Sequence, residues 1–106
     1  MRDARGNAMA NLVISIDYDD TYTAEPMLWA QFIGLARAAG ATVICVTGRK
    51  EPPDFTRDPP LPASVPIICA GNQWKRSAAE KAGYAVNIWI DDMPEMVAPS
   101  KILDWQ

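Results

Sequence analysis

Leu12-Val13-Ile14-Ser15-Ile16-Asp17-Tyr18-Asp19-Asp20-Thr21 decides the fold. Its first five residues form an apolar run that reads as a buried strand. The strand ends in two carboxylates, Asp17 and Asp19, at i and i+2 spacing. Side chains alternate along a strand, so both lie on the same side of the backbone at one sheet edge. Two like charges held this close repel unless a cation or a proton sits between them. The segment therefore reads either as a functional site or as a solvated acidic turn, and the rest of the chain must decide.

Working outward, Thr23 is a capping candidate for a helix over about Glu25–Ala39, with Pro26 tolerated in its first turn. Leu28, Phe32, Leu35 and Ala39 recur at helical spacing, and Trp29, Ile33 and Ala36 widen that stripe. Gly40 supplies the stop. Thr42-Val43-Ile44-Cys45-Val46 is a second apolar strand, running into Thr47-Gly48-Arg49. Six of the nine prolines then fall between Glu51 and Pro66, which predicts an extended surface connector. Ile67–Ala70 is a short third strand. Gly71-Asn72 turns into a helix over about Gln73–Ala82, which Gly83 closes. Val86–Ile90 is a fourth strand ending in Asp91-Asp92, and Met93–Val97 forms a short helical turn.

Strand, helix, strand, long loop, strand, helix, strand predicts an α/β sandwich with a small parallel sheet of Rossmann-like type. Both early strands are apolar on both faces, as in a parallel sheet covered by helices. Ligands in such folds bind at the carboxyl ends of the strands. Asp17/Asp19, Thr47 and Asp91/Asp92 all fall at such ends, and Lys75 lies in the first turn of the second helix. Four separate stretches thus send polar groups toward one edge.

The 106 residues favour one domain, with Met1–Ala10 a disordered tail and residues 11–106 the folded part. Apolar residues make up 49% and charged residues 22%, the mix of a soluble globular protein. The chain has no histidine, which excludes a His base, a His-ligated metal and a His-based triad. A net charge of −3 argues against nonspecific nucleic-acid binding. Cys45 and Cys69 lie in apolar runs and read as reduced, buried thiols of a cytoplasmic protein. No apolar run approaches the ~18–20 residues that span a bilayer. Membrane partners are therefore not expected.

Carboxylates with a lysine and a hydroxyl, and no imidazole, suit oxygen-ligand metal chemistry. Mg²⁺ takes a few carboxylate oxygens, keeps several waters and adds a substrate phosphate. Lys75 and Thr47 suit the remaining phosphate oxygens. One aspartate could then attack phosphorus, and the second could protonate the leaving oxygen and later activate water. Arg49 reads as a substrate contact or a surface charge, and Arg76 competes with Lys75 for the phosphate. Trp74 reads as helix packing, or as a platform that stacks on a ring near the site. Trp29 and Trp89 read as core.

In this order the residues resemble the haloacid dehalogenase-like (HAD) phosphohydrolases. Asp17-Tyr18-Asp19-Asp20-Thr21 resembles the first motif of that family, Asp-x-Asp-x-Thr after a hydrophobic strand. Thr47, followed by Gly48-Arg49, resembles the second motif, Lys75 the third, and Ile90-Asp91-Asp92 the fourth. The match runs from about Leu12 to Met96. The resemblance implies a Mg²⁺-dependent phosphomonoester hydrolase with Asp17 as nucleophile and Asp19 as general acid/base. It also implies that Asp19 gives its main-chain carbonyl to the metal and that Asp91 and Asp92 hold the ion. Thr47, Gly48, Arg49 and Lys75 would bind the phosphoryl group, with Lys75 also restraining Asp17 and Thr21 orienting the loop.

Family members often carry a cap domain. The short Thr21–Leu28 segment and the Glu51–Pro66 loop leave no room for one, so the chain resembles a capless, minimal member. Its open site would take a small phosphomonoester or a phosphorylated macromolecule, nucleic acid entering only as a substrate. Two other functions fit the same residue types. One is a signalling domain that accepts a phosphoryl group, although there the acidic pair, acceptor, Thr and Lys follow in another order. The other is an accessory domain that binds metal or phosphate without turnover.

Overall fold

In the computed structural model, residues 12–99 are described. The expected tail at Met1–Ala10 and the chain after Pro99 lie outside the described residues. The elements are β1 (Val13–Ile16), α1 (Pro26–Ala38), β2 (Thr42–Thr47), β3 (Ile67–Cys69), α2 (Lys75–Lys81) and β4 (Ile88–Ile90). Short 3-10 turns occupy Tyr22–Ala24 and Pro94–Met96. The expected order of elements holds. Both helices and the fourth strand are shorter than their apolar patterns suggest.

The four strands form one parallel sheet in the order β3-β2-β1-β4. After β1 the chain builds outward through β2 and β3, then returns to the other side of β1 to lay down β4. The strand order therefore reverses beside β1, and the carboxyl ends of β1 and β4 flank that switch point, where open α/β sheets form a crevice.

β2 runs through the centre and feeds two cores by alternation. Val43 and Cys45 pack with Ile16, Tyr18, Tyr22 and the α1 residue Ile33 on one face. Ile44 and Val46 pack with Ala70 and the α2 residues Ala78 and Ala79 on the other. The helices thus cover opposite faces of the sheet, giving three layers. No described helix is long and apolar enough to cross a membrane.

Both helices end in the same way. Gly40 (φ 100°) and Gly83 (φ 98°) take left-handed backbone. Ala41 N–H donates to Ala36 O and Gly40 N–H to Arg37 O, and Tyr84 and Gly83 repeat the pattern on Ala79 and Glu80. These are Schellman closures, which need a residue without a Cβ clash at the left-handed position.

Three local expectations change. Thr23 does not cap α1: it lies inside the preceding 3-10 turn, and its hydroxyl accepts the Asp20 amide at 3.0 Å. Glu25 holds the cap position of α1 without a side-chain bond. The inward stripe of α1 is Trp29, Phe32, Ile33 and Ala36, while Leu28 and Leu35 are 54% and 73% exposed. Both stripes have helical spacing, because α1 is apolar nearly all round, so periodicity alone could not choose between them. Cys45 is buried as expected, but Cys69 is only half-buried. Both thiols are free, and burial, with Asp17 adding to it, pushes Cys45 up to about 12.

The proline-rich connector is tied down. Tyr18 donates its hydroxyl to Pro59 O, and Tyr22 donates to Pro60 O at 2.8 Å. The two rings stack with centroids 5.9 Å apart, and Phe55 of the connector lies 6.2 Å from Tyr18. Leu61 and Val65 enter the first core. The segment thus covers the sheet beside α1, which is more than a plain link.

Candidate active site at the carboxyl ends of β1, β2 and β4

β1 delivers Asp17 at its last step. Its N–H donates to Ile90 O at 2.9 Å, extending the β1–β4 ladder by one rung. The side chain then enters a crevice between the two strand ends. Lys75 reaches the same point from the first turn of α2, donating to Asp17 Oδ1 at 2.9 Å and to Asp91 Oδ2 at 2.6 Å. All three side chains in this bridge are more than nine-tenths buried. Buried ion pairs are tolerated where bonds satisfy both partners, and removing one member leaves an uncompensated charge.

Thr21 joins the cluster on the other side. Its hydroxyl lies 3.3 Å from Asp17 Oδ2 and 3.1 Å from Asp92 Oδ1, and it accepts the Asp92 amide at 3.2 Å. It therefore links the loop after β1 to the end of β4. Met93 N–H donates to Asp91 Oδ1 at 2.9 Å, so both Asp91 oxygens are engaged.

Asp17, Asp91 and Asp92 each offer an oxygen within 4.8 Å of the others. Such a set of hard oxygen donors fits Mg²⁺ better than a thiophilic metal. Burial raises Asp17 to about 6, the nearby Asp92 and Asp91 add to that, and the Lys75 bond pulls the other way without prevailing. Asp92 is lowered, chiefly by its bond to Asp17 and then by Thr21. Burial acts to lower Lys75, yet its bonds to Asp91 and Asp17 outweigh that and leave it raised, hence charged.

Asp19 stands apart. Its carboxylate is outside that set and takes a two-pronged bond from Arg49, Nε to Oδ2 at 2.9 Å and Nη2 to Oδ1 at 2.8 Å. This fork lowers Asp19 and keeps it ionised. Arg49 also reaches Asp58 of the connector at 3.4 Å and lies 5.3 Å over the Tyr18 ring.

Gly48 and Arg49 line the cavity of about 310 Å³ that Asp17, Asp19, Lys75 and Asp92 share. Thr47 does not line it. It is fully buried, and its hydroxyl accepts the Arg49 N–H at 3.2 Å, shaping the turn that presents the arginine. Arg76 is also off the cavity, its amide donating to Val97 O at 2.9 Å. Asp58, Met93 and Met96 were missed as site neighbours. Met93 and Met96 follow the fourth acidic pair closely, which was a readable signal; Asp58 sits in a loop whose course no periodicity reports.

Among known proteins, the chain matches no family model, no curated protein and no solved structure. The likeness to known phosphohydrolases is therefore one of motif residues alone.

Proposed function

We propose that the chain is a Mg²⁺-dependent phosphomonoester hydrolase that works through an aspartyl-phosphate on Asp17. One observation carries the reading: a buried lysine bridges two buried aspartates at the strand-order switch point, with a third carboxylate beside them. Asp17, Asp91 and Asp92 would hold the ion, Asp19 adding its carbonyl as the resemblance implies. Mg²⁺, when bound, would neutralise phosphoryl charge.

A carboxylate oxygen of Asp17 attacks phosphorus as the ester P–O bond breaks, and the leaving oxygen takes a proton from Asp19. Water then attacks the phosphoryl group, gives its proton to Asp19 and releases inorganic phosphate with the Asp17 carboxylate restored. Lys75 holds Asp17 in line and stays charged throughout. Asp19 can carry a proton only when Arg49 lets go of it. An arriving phosphate offers the guanidinium another anion, and transfer of the fork frees Asp19 for its task.

The test is hydrolysis of an aryl phosphate and a panel of phosphomonoesters, with Mg²⁺ or chelator, by the native chain and by Asp17→Asn. Hydrolysis that needs both Mg²⁺ and Asp17 is the expected result. Full activity in Asp17→Asn would sink the assignment. The Arg49–Asp19 fork favours a second reading, a metal- and phosphate-binding domain without turnover. Mg²⁺ binding with no hydrolysis across the panel would establish that one.

A further inference from the structure

Beside the acidic cavity lies a second cleft of about 290 Å³, lined by Gly71, Asn72, Gln73, Trp74 and Met96. Met96 lines both hollows, so they share a wall. Their linings are also tied through the backbone, since the Gly71 amide donates to Arg49 O at 3.3 Å. The wall is braced, because the Arg76 amide in the first turn of α2 bonds Val97 O, next to Met96. Trp74 is 45% exposed and Met96 43%, although each belongs to a residue type that is usually well covered.

The two hollows differ in chemistry. The first is charged and holds Lys75 and Arg49. The second carries no charged side chain and offers an indole, a thioether and two carboxamides. Lys81 donates to Gln73 Oε1 at 2.7 Å, which ties that carboxamide to α2. Indole and thioether faces hold flat rings, and carboxamides read their edges. A sugar would call for more hydrogen-bonding groups, and an alkyl chain for a deeper apolar hole.

We infer that this cleft seats the base of a nucleoside monophosphate whose phosphate enters the acidic cavity. The inference rests on the phosphohydrolase reading above and names its substrate class. A free nucleotide fits better than a nucleic-acid end: the chain has a net charge of −3, and Asp19, Asp20 and Asp92 rim the cavity against further phosphates.

The experiment compares kcat/KM for adenosine and uridine 5′-monophosphates with ribose 5-phosphate, glycerol phosphate and a 5′-phosphorylated decanucleotide. It uses native chain, Trp74→Ala and Trp74→Phe with Mg²⁺. Native chain is expected to prefer the nucleotides over ribose 5-phosphate at least about tenfold, the lower range of what base stacking provides. Trp74→Ala loses that preference and Trp74→Phe keeps most of it. Equal rates on nucleotides and ribose 5-phosphate, or a tenfold preference for the decanucleotide, overturn the inference while leaving a phosphohydrolase.

A binding arm does not depend on turnover. Calorimetry with adenosine monophosphate on Asp17→Asn should show Kd weakened about tenfold by adding Trp74→Ala. If no phosphomonoester is hydrolysed, the hydrolase reading falls. The base cleft is then upheld by that loss of binding, or overturned by its absence.

Discussion

At the scale of single residues, Asp17 and Asp19 share a motif but have opposite environments. Asp17 is buried and raised to about 6, whereas Asp19 is forked to Arg49 and lowered. An acid whose folded pKa exceeds its unfolded value binds its proton more tightly when folded. Stability from Asp17 is thus fully present below about pH 4 and lost as pH rises through about 6. A shift from 3.8 to about 6 corresponds to about 3 kcal/mol at most. In chelator, the melting temperature of the native chain relative to Asp17→Asn should therefore fall between pH 4 and 6. A relative Tm that rises across this window would refute the buried-acid account.

Arg49 gives a contrasting case. Its pair with Asp19 is partly exposed, so Arg49→Ala should cost under about 1 kcal/mol in a urea melt. The freed Asp19 carboxyl should titrate at higher pH, which carbon-detected NMR reads directly. Lys75 is the opposite extreme. Lys75→Met removes the cation between Asp17 and Asp91 and should cost about 3–5 kcal/mol in chelator, measured in the same melts.

At the scale of elements, α1 and the connector were read least well. Ile33 is fully buried against Val43 and Tyr22, whereas Leu35 is exposed. Ile33→Ala should cost about 2–5 kcal/mol, and Leu35→Ala under about 0.5 kcal/mol. Equal losses would mean that the inward stripe has been misassigned. The spacing of apolar residues fits both stripes, and only the sheet beneath decides which one is covered. The connector depends on two hydroxyls. Tyr22→Phe leaves Pro60 O without its donor and should cost about 1 kcal/mol, with faster proteolytic cutting between residues 51 and 66. Tyr18 and Tyr22 were legible as aromatic residues beside the motif. Their partners at Pro59 and Pro60, about forty positions along, were not.

At the scale of the whole molecule, Lys75 ties the start of α2 to the ends of β1 and β4, and an ion held by Asp17, Asp91 and Asp92 would tie those two strand ends to each other. Mg²⁺ at a hundredfold over its Kd should add about 2.7 kcal/mol of stability. Asp92→Asn should remove most of that gain while changing the metal-free melt little, since Asp92 is exposed. Differential scanning calorimetry with and without Mg²⁺ measures both.

The sequence by itself determined the alternation of strands and helices, the parallel α/β class and the strand ends at which the acidic residues fall. These follow from apolar runs, glycine stops and proline exclusions, all of which act over a few residues. Tertiary structure alone decided that Asp17 groups with Asp91 and Asp92 while Asp19 turns to Arg49. It also decided that Thr47 is buried beneath the cavity, that α1 turns Ile33 inward, and that Trp74 opens beside the acidic hollow. Those outcomes depend on pairings between residues tens of positions apart. Burial, charge and backbone bonds select among them together, and no local pattern carries that choice.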